Sequence, residues 1–184
     1  MESIGPWKKL NDKVVYENPW IRVHHQEVLN PNGNPGIYGK IHFRNLAIGV
    51  IPLDEEYNTW IVGQFRYPLN SYSWEIPEGG GAHDTPPLDS AKRELLEECG
   101  LKAAQWTEIL QMHLSNSVSD ELAIIYVATG LSQFESEPED TEQLVIRKLP
   151  FAELYEMVMN GEITDSMSVA GVLKAKVLME KGVV

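Results

Sequence analysis

Two stretches organise the chain: Gly79-Gly80-Gly81, which reads as a glycine-rich turn, and Arg93-Glu94-Leu95-Leu96-Glu97-Glu98-Cys99-Gly100-Leu101 shortly after it. Leu88, Ala91, Leu95 and Leu96 form an apolar face at helical spacing. They predict a helix from about Leu88 to Glu98, with Thr85 as N-cap and Pro86 and Pro87 in the first turn. Positions i, i+3 and i+4 share a helix face, so Glu94, Glu97 and Glu98 crowd together. Two unit charges ~4 Å apart repel by ~4 kcal/mol at an effective dielectric of ~20. Glu97 and Glu98 also precede Cys99-Gly100, a helix end where the macrodipole favours cations. Helix stability does not ask for this arrangement, whereas a divalent cation does. Hard ions such as Mg2+ take oxygen ligands and keep water and phosphate in their shell. The plain alternative is a solvated acidic face, since Glu is a good helix former. The glycine triplet, which admits close backbone approach and positive φ, favours the cation. No Gly-Lys-Ser/Thr follows it, so it is not a P-loop.

The chain has 184 residues, enough for a sizeable core, and a formal net charge of -12. That charge argues against attraction to nucleic acid or anionic lipid, so neither a nucleic-acid nor a membrane partner is expected. An acidic protein that handles phosphates needs local positive charge, and metal ions on carboxylates supply it. No apolar run approaches the ~20 residues of a membrane span, and the N-terminus shows no signal-peptide pattern. Cys99 is the only cysteine, which fits a reducing, cytoplasmic setting and an inert buried thiol. The five histidines make no convincing zinc site: His24 and His25 alternate on a strand, His83 lies in a turn, and His42 and His113 are isolated.

Around the predicted helix the chain reads as strands at Lys13 to Glu17, Ile21 to Val28, Ile37 to Phe43, Leu46 to Pro52 and Thr59 to Phe65. The run at Leu46 to Pro52 is apolar throughout, as in a strand covered on both faces. Further strands are expected near Trp106 to Met112, Glu121 to Thr129 and Leu144 to Lys148. Helices are expected at Phe151 to Met159 and Ser166 to Glu180. An acidic loop, with five carboxylates in residues 135–142, precedes the last strand. The alternation suggests an α/β sandwich with a mixed sheet.

Gly79 and the run from Arg93 to Leu101 resemble the Nudix box, G-x5-E-x7-R-E-U-x-E-E-x-G-U, where U is bulky and aliphatic. One fixed position departs: Thr85 stands where the pattern has a glutamate that braces the loop against the box arginine. Asp84, one place earlier, is the expected substitute partner for Arg93. The likeness reaches further. Gln64-Phe65-Arg66-Tyr67-Pro68 and Trp74-Glu75-Ile76-Pro77-Glu78-Gly79 are similar to Q-Y-R-Y-P and W-E-L-P-A-G of the ADP-ribose pyrophosphatase branch. Ser117 to Glu121, Gly161 to Ser166 and Glu17 to Val23 also look like that branch.

This resemblance implies a Nudix-type α/β/α sandwich over residues 46–184 and an N-terminal β-strand region, 1–45, used in homodimerisation and possibly strand-swapped. It implies Mg2+-dependent, or Mn2+-dependent, hydrolysis of a nucleoside diphosphate sugar to a nucleoside monophosphate and a sugar phosphate. The alternatives are another nucleoside pyrophosphate as substrate, or a nucleotide-sugar sensor that does not cut. By the same resemblance Glu94, Glu97 and Glu98 are metal ligands, joined by the backbone carbonyl of Glu78, with Gly79, Arg93 and Gly100 structural. Glu142, next to the following strand, is the favoured general base, with Glu97 or Glu98 as substitutes. Arg66 is the candidate for gripping a phosphate or terminal ribose, since its planar fork matches phosphate oxygens. Arg44 is placed near the base and Trp20 as a stacking platform for it, possibly across a dimer interface. Glu75 is placed as an acceptor for base or sugar.

Overall fold

The computed structural model describes residues 1–134 and 144–184. Four antiparallel strands open the chain as a meander: β1 (Glu2–Ile4), β2 (Trp7–Glu17), β3 (Ile21–Leu29) and β4 (Pro35–Phe43). Next come β5 (Asn45–Pro52), β6 (Asn58–Arg66), β7 (Ser71–Glu75) and β8 (Glu78–Ala82), followed by helix α1 (Pro87–Cys99). The remainder is β9 (Leu101–His113), β10 (Leu122–Gln133), β11 (Val145–Pro150), α2 (Phe151–Met159) and α3 (Ser166–Glu180).

A four-stranded sheet in the order β8-β5-β10-β9 carries the site. Its central pair, β5 and β10, runs parallel, and the flanking pairs are antiparallel, so the sheet is mixed. A smaller antiparallel sheet, β11-β6-β7, lies beside it. Strand alternation explains the apolar run in β5. Ile48 and Val50 pack with Ala91, Leu95 and Leu101 on the α1 side. Ile51 packs with Ile125, Leu154 and Val172 on the side of α2 and α3. Both faces are covered, which gives the expected α/β/α sandwich. Among the described residues no helix is long and apolar enough to cross a membrane.

The strand reading needed extension. The strand expected from Lys13 begins at Trp7, and β1 and β7 had no separate expectation. The glycine triplet, read as a turn, is a strand: Gly79, Gly80 and Gly81 pair with Ile48, Ala47 and Leu46. None of the three takes a positive φ. Thr85 is not the N-cap of α1. Pro86 holds that place without a side-chain bond, and Pro87 fills the first helical position, where a missing N–H costs nothing.

The N-terminal sheet is fastened to the rest by the segment before β10. Ile41 N donates to Val118 O at 2.8 Å, and Asp120 N donates to Ile41 O at 3.2 Å. The Asp120 carboxylate accepts from Phe43 N at 3.0 Å and pairs with Lys40 at 2.9 Å and His42 at 2.8 Å. Partial burial works against its charge, but His42, Lys40 and the Phe43 amide outweigh it and hold the carboxyl down at about 2.

Candidate active site

Helix α1 turns Glu94 and Glu98 inward with Ala91 and Leu95, and all four are buried. Glu97 lies on the flank, with its side chain 30% exposed. The helix ends at Gly100, whose φ of 64° suits glycine and whose N–H caps the last turn. Burying two carboxylates works only if each is held. Arg93 performs much of this. It donates to Glu97 Oε2 at 2.6 Å, to Glu94 Oε1 at 2.5 Å and to Gly80 O at 2.8 Å. The backbone N–H of Glu78 donates to Glu98 Oε2 at 2.9 Å. One arginine and one strand amide thus fix the three glutamates against β8. The partner expected for Arg93, Asp84, is not used; the carbonyl of Gly80 takes that place because β8 runs directly beside the helix.

Gly79 is the closest point of that approach. A Cβ there would fall on the carboxyl group of Glu94. The absent side chain is what lets this carboxylate reach the sheet edge.

On the other side of β8 opens a cleft of about 620 Å3, bounded by Trp20, Arg66, Glu75, Glu78, Gly79 and Glu121 among others. The α1 glutamates do not line it; they meet it across Gly79. Its far wall is the start of α3, where Asp165 accepts from Ser168 N at 2.7 Å and Ser168 Oγ accepts from Ile76 N at 2.9 Å.

Arg66 lies in this cleft, but its fork is engaged. Nε donates to Glu75 Oε1 at 2.9 Å and to Oε2 at 3.0 Å, and Nη2 reaches Glu75 Oε2 at 2.5 Å and Glu78 Oε1 at 3.1 Å. These bonds, those of Glu75 foremost, hold the guanidinium charge more firmly than usual. Glu75 is only 2% exposed, so its place is as the buried counter-ion of Arg66. Its carboxylate is already occupied where an open acceptor for base or sugar was expected.

For Glu78 a backbone carbonyl was the expected contribution, and the structure places its side chain at the cleft as well. Its side chain sits in the wall of the cleft, and Oε2 is buried without a hydrogen-bond donor. Burial, then the charges of Asp165, Glu75 and Glu98, push its carboxyl well above the usual range, against the pull of Arg66.

Trp20 lines the cleft and is 67% exposed. Arg44 lies outside the cleft lining and pairs with Glu17, and its Nε is buried without an acceptor. Glu142 lies outside the described residues. Two cleft residues had no assigned part. Glu121 is half-buried, and burial raises its carboxyl. Asp165 stands immediately before a helical run, the usual sequence sign of an N-cap.

Among the described residues no three His, Cys, Asp or Glu side chains form a closed cation cage. The donors present still suit a hard divalent ion. Mg2+ is commonly held by one or two carboxylates, with water and substrate phosphate completing the shell. Glu94, Glu97 and Glu98 offer only oxygen, and the Gly79 notch brings one of them to the edge of the strand that walls the cleft.

Comparison with known proteins agrees with this geometry. Residues 7–41 match the family model described as nucleoside diphosphate sugar hydrolase N-terminal domain, and residues 43–165 match the NUDIX domain. An ADP-ribose pyrophosphatase of Mycobacterium tuberculosis is 34% identical over 131 residues, covering 69% of this chain and 63% of that protein. The chain therefore matches somewhat less than two thirds of that relative's length. An ADP-ribose pyrophosphatase of Bacillus subtilis is 27% identical over 161 residues, covering 86% of each chain. The crystal structure of an ADP compounds hydrolase superposes with a TM-score of 0.86 over 100% of both chains at 19% identity, a likeness of fold. The chain belongs to the Nudix family, with a nucleoside diphosphate sugar hydrolase N-terminal domain ahead of its Nudix domain.

Proposed function

We propose that this chain hydrolyses the pyrophosphate bond of a nucleoside diphosphate sugar, with ADP-ribose the first candidate, releasing a nucleoside monophosphate and a sugar phosphate. The observation that carries this is the buried pair Glu94 and Glu98, fixed by Arg93 and the Glu78 amide behind a strand whose Gly79 leaves room for a carboxylate. A fold stabilised by hydrophobic burial gains little from two carboxylates at that spot. The curated relatives named ADP-ribose pyrophosphatase support the substrate class.

Mg2+, or Mn2+ in its stead, would be held by Glu94, Glu97 and Glu98 with the Glu78 carbonyl, and would neutralise phosphate oxygens and acidify the attacking water. The chain's own groups do the rest. Arg93 keeps two of the glutamates in register with β8. Trp20 presents an exposed ring at the cleft for a nucleobase, and Arg44 stands nearby on the same N-terminal side. Glu142 takes the proton from water, with Glu97 or Glu98 as substitutes. The lone buried Cys99, whose thiol burial pushes up, accords with work in the cytoplasm.

The proposal includes a homodimer. Ile4, Leu10, Val14, Val15, Tyr16 and Ile37 of the N-terminal sheet are exposed, more apolar surface than a solvated sheet normally shows. Light scattering of the purified chain is expected to give twice the monomer mass; a monomer at micromolar concentration refutes this part.

The central test is product analysis on a panel of nucleoside diphosphate sugars, dinucleoside polyphosphates and nucleoside triphosphates with Mg2+ or Mn2+. Cleavage of nucleotide sugars to monophosphate and sugar phosphate is expected. Turnover of only the other pyrophosphates refutes the substrate class. Glu98→Gln should lower turnover by ~100-fold or more while leaving nucleotide binding within a few-fold. Small and equal effects on both would instead identify a sensor.

A further inference from the structure

We propose that one face of the N-terminal sheet is a second ligand site, built for a nucleoside monophosphate. The pocket there, about 520 Å3, shares no lining residue with the cleft beside β8, and the proposal stands apart from the reaction given above.

Charge singles out this part of the chain. Residues 1–45 carry six Lys and Arg against four Asp and Glu, whereas residues 46–184 carry nine against 23. A chain with a formal net charge of -12 repels anions over most of its surface, so an anion settles where cations cluster.

Strand pairing arranges the pocket from an aromatic end to a cationic end. Side chains two residues apart on a strand share a face, so Tyr38, Lys40 and His42 of β4 stand on one side. Gln26 is paired with Tyr38, and His24 with Lys40. These five line the pocket together with Trp7 and Lys9 of β2. Trp7 and Tyr38 meet nearly perpendicular with ring centroids 5.7 Å apart, so they form a corner and do not cover each other face to face. The Tyr38 hydroxyl donates to Ser117 O at 2.7 Å, which fixes that ring. At ~3.3 Å per residue, Lys40 lies ~7 Å and His42 ~13 Å further along β4. A base in the aromatic corner and a phosphate at Lys40 and His42 fit this span.

The groups along the way have bonding capacity left. Gln26 is 9% exposed, and its amide nitrogen donates to Asp12 Oδ2 at 3.0 Å. Its Oε1 receives no donor among the described residues, and unlike Glu78 Oε2 it is not sealed off by protein. A buried amide oxygen calls for a partner, and a ribose hydroxyl supplies one. At the cationic end Lys40 bonds one carboxylate, Asp120 at 2.9 Å, and keeps ammonium hydrogens for a ligand. His42 places Nδ1 on Asp120 at 2.8 Å and His24 places Nδ1 on Asp12 at 2.7 Å, so Nε2 is the nitrogen each ring has left. Lys9 is different. It is held between Glu2 at 2.7 Å and Asp12 at 3.5 Å, so the aromatic end is balanced in charge and the phosphate is directed to Lys40. Among the described residues no three His, Cys, Asp or Glu side chains form a cation cage, so the two histidines do not call for a metal.

Two measurements on the purified full chain test this. Photolysis with 8-azidoadenosine monophosphate, followed by peptide mapping, should label the peptides that hold Trp7 or Tyr38, and excess adenosine monophosphate should remove that label. Calorimetric titration with adenosine monophosphate should resolve a binding event that Lys40→Ala weakens by about tenfold or more and that Lys40→Arg largely keeps. Gln26→Leu leaves every cation in place and should weaken the same event several-fold. Thermal melts check that the variants fold. Inorganic phosphate, which lacks the base, should bind about tenfold more weakly. Label confined to residues outside this pocket, such as Trp20, overturns the inference. So does wild-type affinity in Lys40→Ala, and so does phosphate that binds as tightly as the nucleotide. Any of these results leaves the hydrolase reading untouched, because cleavage is measured separately.

Discussion

Replacing Arg66 with alanine isolates the cost of the charge cluster under the cleft. Glu75 is 2% exposed and Glu78 lies in the cleft wall, and Arg66 is the cation that bonds both. Removing one partner of a buried ion pair costs about 3–5 kcal/mol, because the remaining charge has lost its compensation. Arg66 itself is 35% exposed at the side chain, so water screens part of the loss and the lower end, about 3 kcal/mol, applies. For a domain of this size each kcal/mol moves Tm by about 2–4 °C, so Arg66→Ala should melt about 6–12 °C below wild type at pH 7. Circular dichroism melts of the two proteins at pH 7 measure this directly. A deficit under 2 °C refutes the ion-pair account.

Gly79→Ala places a methyl group on the Glu94 carboxyl, and either the side chain or β8 must withdraw by ~1 Å. Displacement of that order costs about 100-fold in kcat/KM; activity near wild type would show that Glu94 need not sit in the notch. Asp120→Asn tests the fastening of the N-terminal sheet. The Asp120 carboxyl lies at about 2 in the folded chain against an ordinary 3.8, so its contribution is complete above pH 4 and fades as pH falls toward 2. The shift corresponds to at most ~2 kcal/mol, and screening reduces it to ~1. Wild type should therefore melt a few degrees above Asp120→Asn at pH 6, and the gap should close between pH 4 and pH 2; a gap independent of pH would refute the assignment.

Much of the site was legible because its signals are local. Glu94, Glu97 and Glu98 follow from helical spacing, and the apolar run from Leu46 to Pro52 announced a strand covered on both faces. What misled were residues whose roles depend on neighbours distant in sequence. Glycines in a row suggest a turn, yet β5 lies alongside, and the missing side chains of Gly79 and Gly81 let Glu94 and Ser90 of α1 pack closely over β8. Glu75 appeared to be an open acceptor, but β6 and β7 pair with Arg66 aligned to Ser71 and Glu75 to Val62, and the long Arg66 side chain reaches along the pair to the Glu75 carboxylate. Asp84 had the right charge to brace Arg93, but the nearer Gly80 carbonyl was available.

The chain's local pattern alone determined which residues form the box helix, that its acids crowd one side, that β5 is enclosed and that the whole is α/β. These properties depend on side-chain spacing within a dozen residues, where period and charge are written directly. Tertiary structure decided which carboxylates are buried, which nitrogen of Arg66 stays open, and that Glu78 carries an oxygen without a donor. Those outcomes depend on burial and on how strands and helices come together around these side chains, and free energies of desolvation exist only once the surrounding atoms are in place.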